Sequence, residues 1–229
     1  MAELPAHRLR LFFRPITVTG IDFLGPMTIF MLRRSLKRWD VIFTCLTTKA
    51  VHIDMAESLT SDSFLLAFWQ FVNVRGCSTV GYSDNGKNLG TGEKEIAELW
   101  GKFDQEQIGS ELAKLCIEWH FSPPVAHQFG GSWERLIQSE KTALRIILDG
   151  RTVANEVLHS VLVGAAALMI GRPLEYVPVY PQGLIPSTLN DVLLLGANPT
   201  EPTDHFDPRD KLSSLGWRGA QVLINHFWH

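Results

Sequence analysis

Three acidic residues stand out because their settings in the chain suit a shared chemical role. Asp22 lies inside a strand-like segment rich in β-branched and aromatic residues, where an aspartate is unfavourable for β structure. Asp84 follows a short apolar segment and belongs to a Ser-Asp-Asn-Gly turn sequence. Glu134 follows a pair of glycines and falls in the first turn of a predicted helix. Three converging carboxylates repel one another unless a cation neutralises them, so this set predicts a metal site.

Magnesium fits such a site best, because hard divalent cations take oxygen ligands and complete their shell with water and substrate phosphate. Two such ions about 3.5–4 Å apart clamp the attacking and leaving oxygens of a phosphoryl displacement. Each residue also has a plainer interpretation. Asp84 alone is typical of a turn, and Glu134 alone complements the dipole at the start of its helix.

The helix that contains Glu134 carries further polar residues on the same face. Gln138, Lys141 and Arg145 follow Glu134 by four, seven and eleven residues, which at about 100° per residue keeps them near one direction. An amide and two cations beside a metal carboxylate suit a DNA backbone laid across the site. The alternative is a solvated polar helix face.

Other polar residues have less defined roles. Asn85 and Asn88 either order the loop after Asp84 or contact substrate phosphate. His52 alternates with apolar residues in a predicted strand and is interpreted as outward-facing or satisfied, and His127 as a structural loop residue rather than a general base. A basic turn follows the first predicted strand and either contacts DNA or serves solubility; its cations are Arg33, Arg34, Lys37 and Arg38.

The apolar pattern predicts five strands and five helices. Strands are expected over residues 17–30, 41–48, 50–55, 79–82 and 116–121, and helices over 62–74, 93–100, 106–115, 132–148 and 155–170. The first three strands form an antiparallel meander, and the other two are reached through helices. The order therefore predicts an α/β fold with a mixed five-stranded sheet flanked by helices.

This order also brings the acidic residues together. Functional groups in open α/β sheets gather at strand ends. If the first and fourth strands are neighbours, Asp22 and Asp84 face one site, and Glu134 closes it.

Composition limits the class of protein. The 229 residues are 45% hydrophobic and 20% charged, which suits a globular domain and not a disordered chain. The three cysteines are far apart and form no Cys-x-x-Cys pair, which argues against a disulfide framework or a zinc module. No apolar stretch reaches the roughly 20 residues of a membrane span. The net charge of −3 is unlike the basic footprint of most DNA-binding domains, although a carboxylate metal site itself lowers the charge.

Several longer motifs carry a family resemblance. They are DFLGP around Asp22, FTCLTTKAVHIDMAESLTSDSF from Phe43, SDNGKN from Ser83, WHFSPP from Trp119 and FGGSWER from Phe129. Together they resemble the integrase of Pao/BEL-type LTR retrotransposons, and the similarity runs along most of the chain. That family has an RNase H-like fold and is similar to retroviral integrases.

The resemblance implies a D,D,E triad of Asp22, Asp84 and Glu134 that binds two Mg²⁺ or Mn²⁺ ions with DNA. It implies trimming of the 3′ end of element DNA by water, and then attack of the 3′-hydroxyl on target DNA. The implied partners are element ends and target DNA, with a homodimer or higher oligomer and no membrane. The implied location is the nucleus, with assembly in the cytoplasm possible, although no targeting signal stands out.

The sequence departs from the family pattern at positions outside the triad. Gln128 replaces the family's histidine, Lys87 and Leu89 alter the SDNG motif, and Gly164 and Ala165 replace acidic residues. These departures leave a second interpretation open: a catalytically degenerate or domesticated integrase-fold protein that binds DNA or another protein. A third, an RNase H-type nuclease, shares the fold and the metals.

The resemblance also predicts three segments. Residues 1–15 are expected to be a linker from a missing N-terminal zinc-binding domain, and residues 16–175 the integrase catalytic core. Residues 176–229 are expected to be an irregular extension towards a truncated C-terminal module.

Overall fold

The computed structural model describes residues 14–83, 104–121, 151–174, 187–196 and 216–228, together with six positions between 138 and 148. Among these residues the fold is a mixed sheet with helices on both faces. The strands are β1 (Val18–Met31), β2 (Arg34–Cys45), β3 (Val51–Ala56), β4 (Val80–Ser83), β5 (Glu118–Phe121) and β6 (Val153–Ala154). The helices are α1 (Ser61–Arg75), α2 (Gln105–Lys114), α3 (Asn155–Gly171), α4 (Leu189–Leu193) and α5 (Gly216–Trp228).

The sheet has the order β3-β2-β1-β4-β5. Strands β1, β2 and β3 form an antiparallel meander, and β4 and β5 continue the sheet in parallel with β1. The predicted α/β class and the five-stranded mixed arrangement are therefore confirmed. The two-residue strand β6, which the pattern does not predict, adds a short parallel pairing to the end of β1.

The β1–β2 hairpin is longer than predicted, because β2 begins at Arg34 and not at residue 41. The charged start of β2 does not look like a strand, yet it continues the ladder to the pair Met31 and Arg34. The register shifts between Leu24 and Met27. Gly25 lies in this bulge with a φ of 131°, and a Cβ there would lie 3.1 Å from the Arg38 carbonyl oxygen, so the bend depends on glycine.

Helices α1, α2 and α3 follow the predicted bounds within two residues, and the predicted helix over 93–100 lies outside the described residues. The pair Thr60-Ser61 before the first helix is typical of an N-cap, and the structure agrees: the Thr60 side chain accepts a hydrogen bond from the Ser63 N–H at 3.3 Å. Six described positions between 138 and 148 are helical and agree with the predicted helix there.

The expectation of irregular structure beyond residue 175 is wrong for α4 and α5. The prolines between residues 176 and 229 all lie outside these two helices. Helix α5 is stabilised by packing on α3, with Ala220, Val222 and Leu223 buried. Tertiary packing, which a local pattern does not reveal, decides the structure of this segment.

Two hydrophobic cores fill the two faces of the sheet. On one face, α1 packs through Phe64, Phe68 and Phe71, and α2 packs through Ile108 and Leu112. The Phe71 ring stacks on Phe43 of β2 at a centroid distance of 4.2 Å. On the other face, α3 packs through apolar residues such as Leu158 and Leu162. Among the described helices, none has both the length and the apolar character needed to cross a membrane.

Candidate active site

Asp22 lies in the middle strand of the sheet, half-buried, on the face that α3 covers. Its neighbours Ile21 and Phe23 belong to the core on the α1 side. Because side chains alternate along a strand, Asp22 points to the opposite face, as does Ile42, its partner on β2. The Phe23 N–H donates to Asp22 Oδ1 at 2.8 Å, which fixes one carboxylate oxygen.

The carboxyl end of β4 lies beside Asp22. Strand β4 runs parallel to β1, and its last residue, Ser83, pairs with Ile21, the residue before Asp22. The first and fourth strands are thus neighbours, as the sequence analysis requires. Asp22 therefore lies beside the carboxyl end of β4. Strand ends of this kind are the usual location of functional groups in such sheets.

Most of the other predicted site residues lie outside the described residues. These are Asp84, Asn85, Asn88, Glu134, Lys141 and Arg145. Gln138 is described: it is helical and exposed, and its backbone carbonyl accepts a hydrogen bond from the Thr142 hydroxyl at 2.8 Å. Leu144 of the same helix is 3% exposed in the α3-side core. This helix therefore packs on the sheet face that carries Asp22.

A metal site is not complete within the described residues. They contain no cluster of three histidine, cysteine or acidic side chains arranged to hold a metal ion. Of the three predicted carboxylates, the described part of the chain includes only Asp22. The carboxylate of Asp22 is a donor that suits Mg²⁺.

A cavity of about 630 Å³ lies at the edge strand β3, between α1 and α3. Its lining includes His52, Asp54, Gln70, Arg75 and His159. With its amide nitrogen turned to the carboxylate, Gln70 donates to Asp54 at 2.7 and 3.0 Å. The sequence analysis does not identify this cavity. Its one sequence signal is a pair of polar residues, His52 and Asp54, on the same side of a strand.

Burial shifts the pKa values of both cavity residues on β3. Burial first, and then the charges of Arg75 and His159, lower the pKa of His52 to about 4. Burial raises the pKa of Asp54, while the Met55 N–H and then His159 act in the opposite direction. His52 is therefore a neutral residue against the rings of Phe43 and Phe71, and its interpretation as outward-facing is wrong.

The basic turn separates into two kinds of residue. Arg38 is 8% exposed, and its guanidinium donates to Asn155 Oδ1 at 3.2 Å and to the Glu57 carbonyl at 3.4 Å. It therefore holds the hairpin to α3 and is structural. Arg33, Arg34 and Lys37 are exposed.

The chain has no match among protein-family models or curated proteins. Solved structures do match. One is a chain of the simian T-cell lymphotropic virus intasome in complex with the PP2A regulatory subunit B56 gamma, with a TM-score of 0.53 and 14% identity. The alignment covers 87% of this chain and 61% of that one, so this chain spans less than two thirds of its length.

A second match is the catalytic core domain of bovine immunodeficiency virus (BIV) integrase. Its TM-score is 0.51 with 15% identity, and the alignment covers 79% of this chain and 95% of that domain. Similarity at this level of identity concerns the fold. The meander, the two parallel strands and the helices on both faces show that this chain has the fold of a retroviral integrase catalytic core, which is RNase H-like.

Proposed function

We propose that this chain is the catalytic core of a Pao/BEL-type LTR retrotransposon integrase. The proposed activity is divalent-metal-dependent processing of DNA 3′ ends and strand transfer into target DNA. One observation carries the proposal: Asp22 lies beside the end of β4, where Ser83 pairs with Ile21. Asp84 is bonded to Ser83 in the chain. The pairing of β1 with β4 is therefore the strand order that the proposed joint action of Asp22 and Asp84 requires.

The fold similarity supports the same proposal. One matching chain belongs to a viral intasome and the other is an integrase catalytic core domain. The quoted motifs add sequence support around both Asp22 and Asp84. Because this chain spans 61% of the intasome chain, the activities of a whole integrase are part of the proposal.

The proposed metal ligands are Asp22, Asp84 and Glu134, whose carboxylates have the chemistry that Mg²⁺ or Mn²⁺ prefers. The bound ions would supply charge stabilisation to the attacking and leaving oxygens of the phosphoryl transfer. The protein's own part is to hold DNA across the site. We assign this to Asn85, Asn88, Gln138, Lys141 and Arg145, whose amide and cationic groups suit phosphate oxygens.

We further propose that the chain acts in the nucleus as a homodimer or a larger oligomer. Apolar side chains on α1 support self-association: Leu66 is 65% exposed and Trp69 is 54% exposed. They border a groove of about 600 Å³ between α1 and α2. Exposed apolar patches of this kind mark interaction surfaces.

The function is tested by metal-dependent disintegration of a branched DNA substrate. The wild-type chain should join DNA with Mg²⁺ or Mn²⁺, and Asp22→Asn and Glu134→Gln should each abolish joining, because each removes one negative charge with little change of shape. Glu106→Gln, an exposed acidic residue in the first turn of α2, is the matched control and should retain activity. Joining that persists in Asp22→Asn would overturn the proposal.

A Mn²⁺ titration of the same proteins separates the remaining outcomes. A folded wild-type chain that neither joins DNA nor binds Mn²⁺ would support the degenerate integrase-fold interpretation. Cleavage of an RNA–DNA hybrid without strand joining would support the RNase H-type interpretation.

A further inference from the structure

The β1–β2 hairpin extends far beyond the candidate active site. Strand β4 ends at Ser83, opposite Ile21, whereas β1 continues to Met31. At about 3.3 Å per residue, and allowing for the bulge, Met31 lies about 25–30 Å from Asp22 along the strand. We call residues 27–38 the arm. The arm projects in the direction of the carboxyl end of β4, on the side where the candidate site lies.

The arm is rich in positive charge. Its twelve residues include three arginines and a lysine and no acidic residue, in a chain with a net charge of −3. Arg33 and Arg34 are exposed, and neither forms an ion pair with another residue in the described part of the chain. Lys37 is exposed as well. Three cations thus face solvent within five residues.

The arm also exposes apolar side chains at its tip. Phe30 is 52% exposed, Met31 38% and Leu32 87%. Phe30 pairs with Ser35, and Thr28 with Lys37, so an aromatic ring, two hydroxyls and an ammonium group share one face of the ladder. This mixture of cations, small donors and apolar surface suits a sugar–phosphate backbone.

The arm is held in place by contacts with β6 and α3. Strand β6 pairs with β1 at Ile29 and Phe30, Ile29 is fully buried, and Arg38 donates to Asn155 at the start of α3. A pre-positioned surface loses little entropy when a ligand binds. The separation between the arm and Asp22 is therefore a fixed property of the fold.

We propose that the arm binds the phosphate backbone of double-stranded DNA about 25–30 Å from the reacting position, roughly eight base pairs away at about 3.4 Å per base pair. This inference rests on the proposed function, because it assumes that the DNA that reacts at Asp22 also passes the arm. The absence of acidic residues in the arm favours a polyanion over a protein partner, since protein surfaces usually mix both signs of charge. Arg33, Arg34 and Lys37 contact phosphates, and the apolar tip packs against sugars.

The test measures binding of a fluorescent 30-base-pair duplex by anisotropy, without divalent metal and over a series of salt concentrations. Each lost phosphate contact should reduce the slope of log K against log salt concentration by about 0.9. We expect this reduction, with affinity weakened several-fold, in Arg33→Gln and in Arg34→Gln. Lys114→Gln, which removes an exposed cation paired with Glu111 on α2, is the matched control and should keep the wild-type slope.

The two variants change neighbouring residues with different backbone conformations: Arg33 has a φ of 65°, and Arg34 is the first residue of β2. Circular dichroism checks that each variant is folded. Wild-type slopes in both variants would overturn the proposal. A different result is that the variants lose binding to phosphatidylserine vesicles that the wild-type chain binds, while their salt dependence of DNA binding stays unchanged. That result would also overturn the proposal, in favour of a membrane surface as the ligand of the arm.

The same measurements separate this proposal from the proposed function. Reduced slopes in the arm variants, with no metal-dependent joining by the wild-type chain, would support the DNA-binding arm and refute the integrase activity. Joining by the wild-type chain with unchanged slopes in the variants would support the activity and refute the arm.

Discussion

At the scale of single residues, Gly81 shows how closely the two parallel strands fit the aromatic core. A Cβ at this position would lie 2.8 Å from Cε3 and 3.0 Å from Cζ3 of Trp119. The Trp119 ring is itself held edge-on by Phe64 and Phe68 at centroid distances of 5.7 and 6.3 Å. We therefore expect Gly81→Ala to lower the free energy of unfolding by about 1–3 kcal/mol, the usual cost of overpacking. Urea unfolding followed by far-UV circular dichroism measures it.

The matched control is Gly109→Ala on α2. A Cβ there would meet no atom within 4 Å, and alanine favours a helix interior over glycine by about 0.5–1 kcal/mol. Gly109→Ala should therefore be neutral or stabilising. Equal effects of the two substitutions would show that Trp119 moves aside without cost.

His52 makes stability depend on pH. Its pKa is lowered to about 4 in the folded chain, first by burial and then by the charges of Arg75 and His159, whereas the usual value is about 6.5. Between these values the unfolded chain binds more protons than the folded chain, so the free energy of unfolding falls as the pH decreases from about 6.5 towards 4. The full loss is about 3 kcal/mol at most. Urea unfolding at pH 7 and at pH 4.5 should show it.

The variant His52→Gln should reduce this fall, because glutamine does not titrate. Asp54 changes stability in the opposite sense: its pKa is raised by burial, so protonation as the pH falls favours the folded chain. The control His120→Gln replaces a histidine that is 42% exposed on β5 and should keep the fall. The same pH dependence in wild type and His52→Gln would contradict the assignment.

At the scale of elements, the packing of α5 on α3 depends on a glycine. A Cβ at Gly164 would lie 2.6 Å from Cδ1 of Ile224, so the two helices approach closely at this point. The integrase family that the sequence resembles has acidic residues at this point of the helix, whereas Gly164 leaves room for the apolar side chain of Ile224. We expect Gly164→Glu to displace α5, because a carboxylate would have to fit against Ile224. Amide hydrogen exchange at the buried residues Ala220, Val222 and Leu223 should become faster.

Ser160→Glu, an exposed position one turn earlier on α3, is the control for charge and should leave exchange in α5 unchanged. Unchanged exchange in Gly164→Glu would mean that α5 is held by its other contacts. In that case the packing of α5 on α3 does not require a glycine at position 164.

The sequence predicts elements well where periodicity and local chemistry agree. The α1 bounds, the Thr60 cap and the sheet order follow from such signals. The start of β2 at Arg34 and the helix α5 do not, because each forms through a partner element: the adjacent end of β1 in the hairpin for β2, and α3 for α5. Pairing with another element overrides local propensity in both cases.

The candidate site is predictable to a different degree. The strand order predicts that Asp22 lies near the end of β4, and this prediction is confirmed. The roles of Asp84 and Glu134 remain predictions, because both lie outside the described residues. The cavity at β3 escapes prediction, since it forms from α1, β3 and α3 only after they pack.

At the scale of the whole molecule, the sheet separates the two surfaces to which we assign DNA binding and self-association. Asp22 and the helix with Gln138 occupy one face, and the opposite face carries the apolar surface of α1 and α2. DNA bound along the candidate site and the arm would leave that second surface accessible. Self-association through α1 and DNA binding are therefore compatible in one assembly.

The proposed self-association gives a direct prediction. Burying a tryptophan removes about 150–250 Å² of its surface from water, and Trp69 is 54% exposed at the centre of the α1 surface. Trp69→Glu would place a charge in that contact and should convert a dimer to a monomer in sedimentation velocity. Leu195→Glu, at a side chain that is 92% exposed elsewhere, should remain dimeric. A wild-type chain that stays monomeric at micromolar concentration would exclude α1 as the interface. A dimeric Trp69→Glu variant would exclude it as well, because the cost of burying an unpaired carboxylate exceeds what a stable contact tolerates.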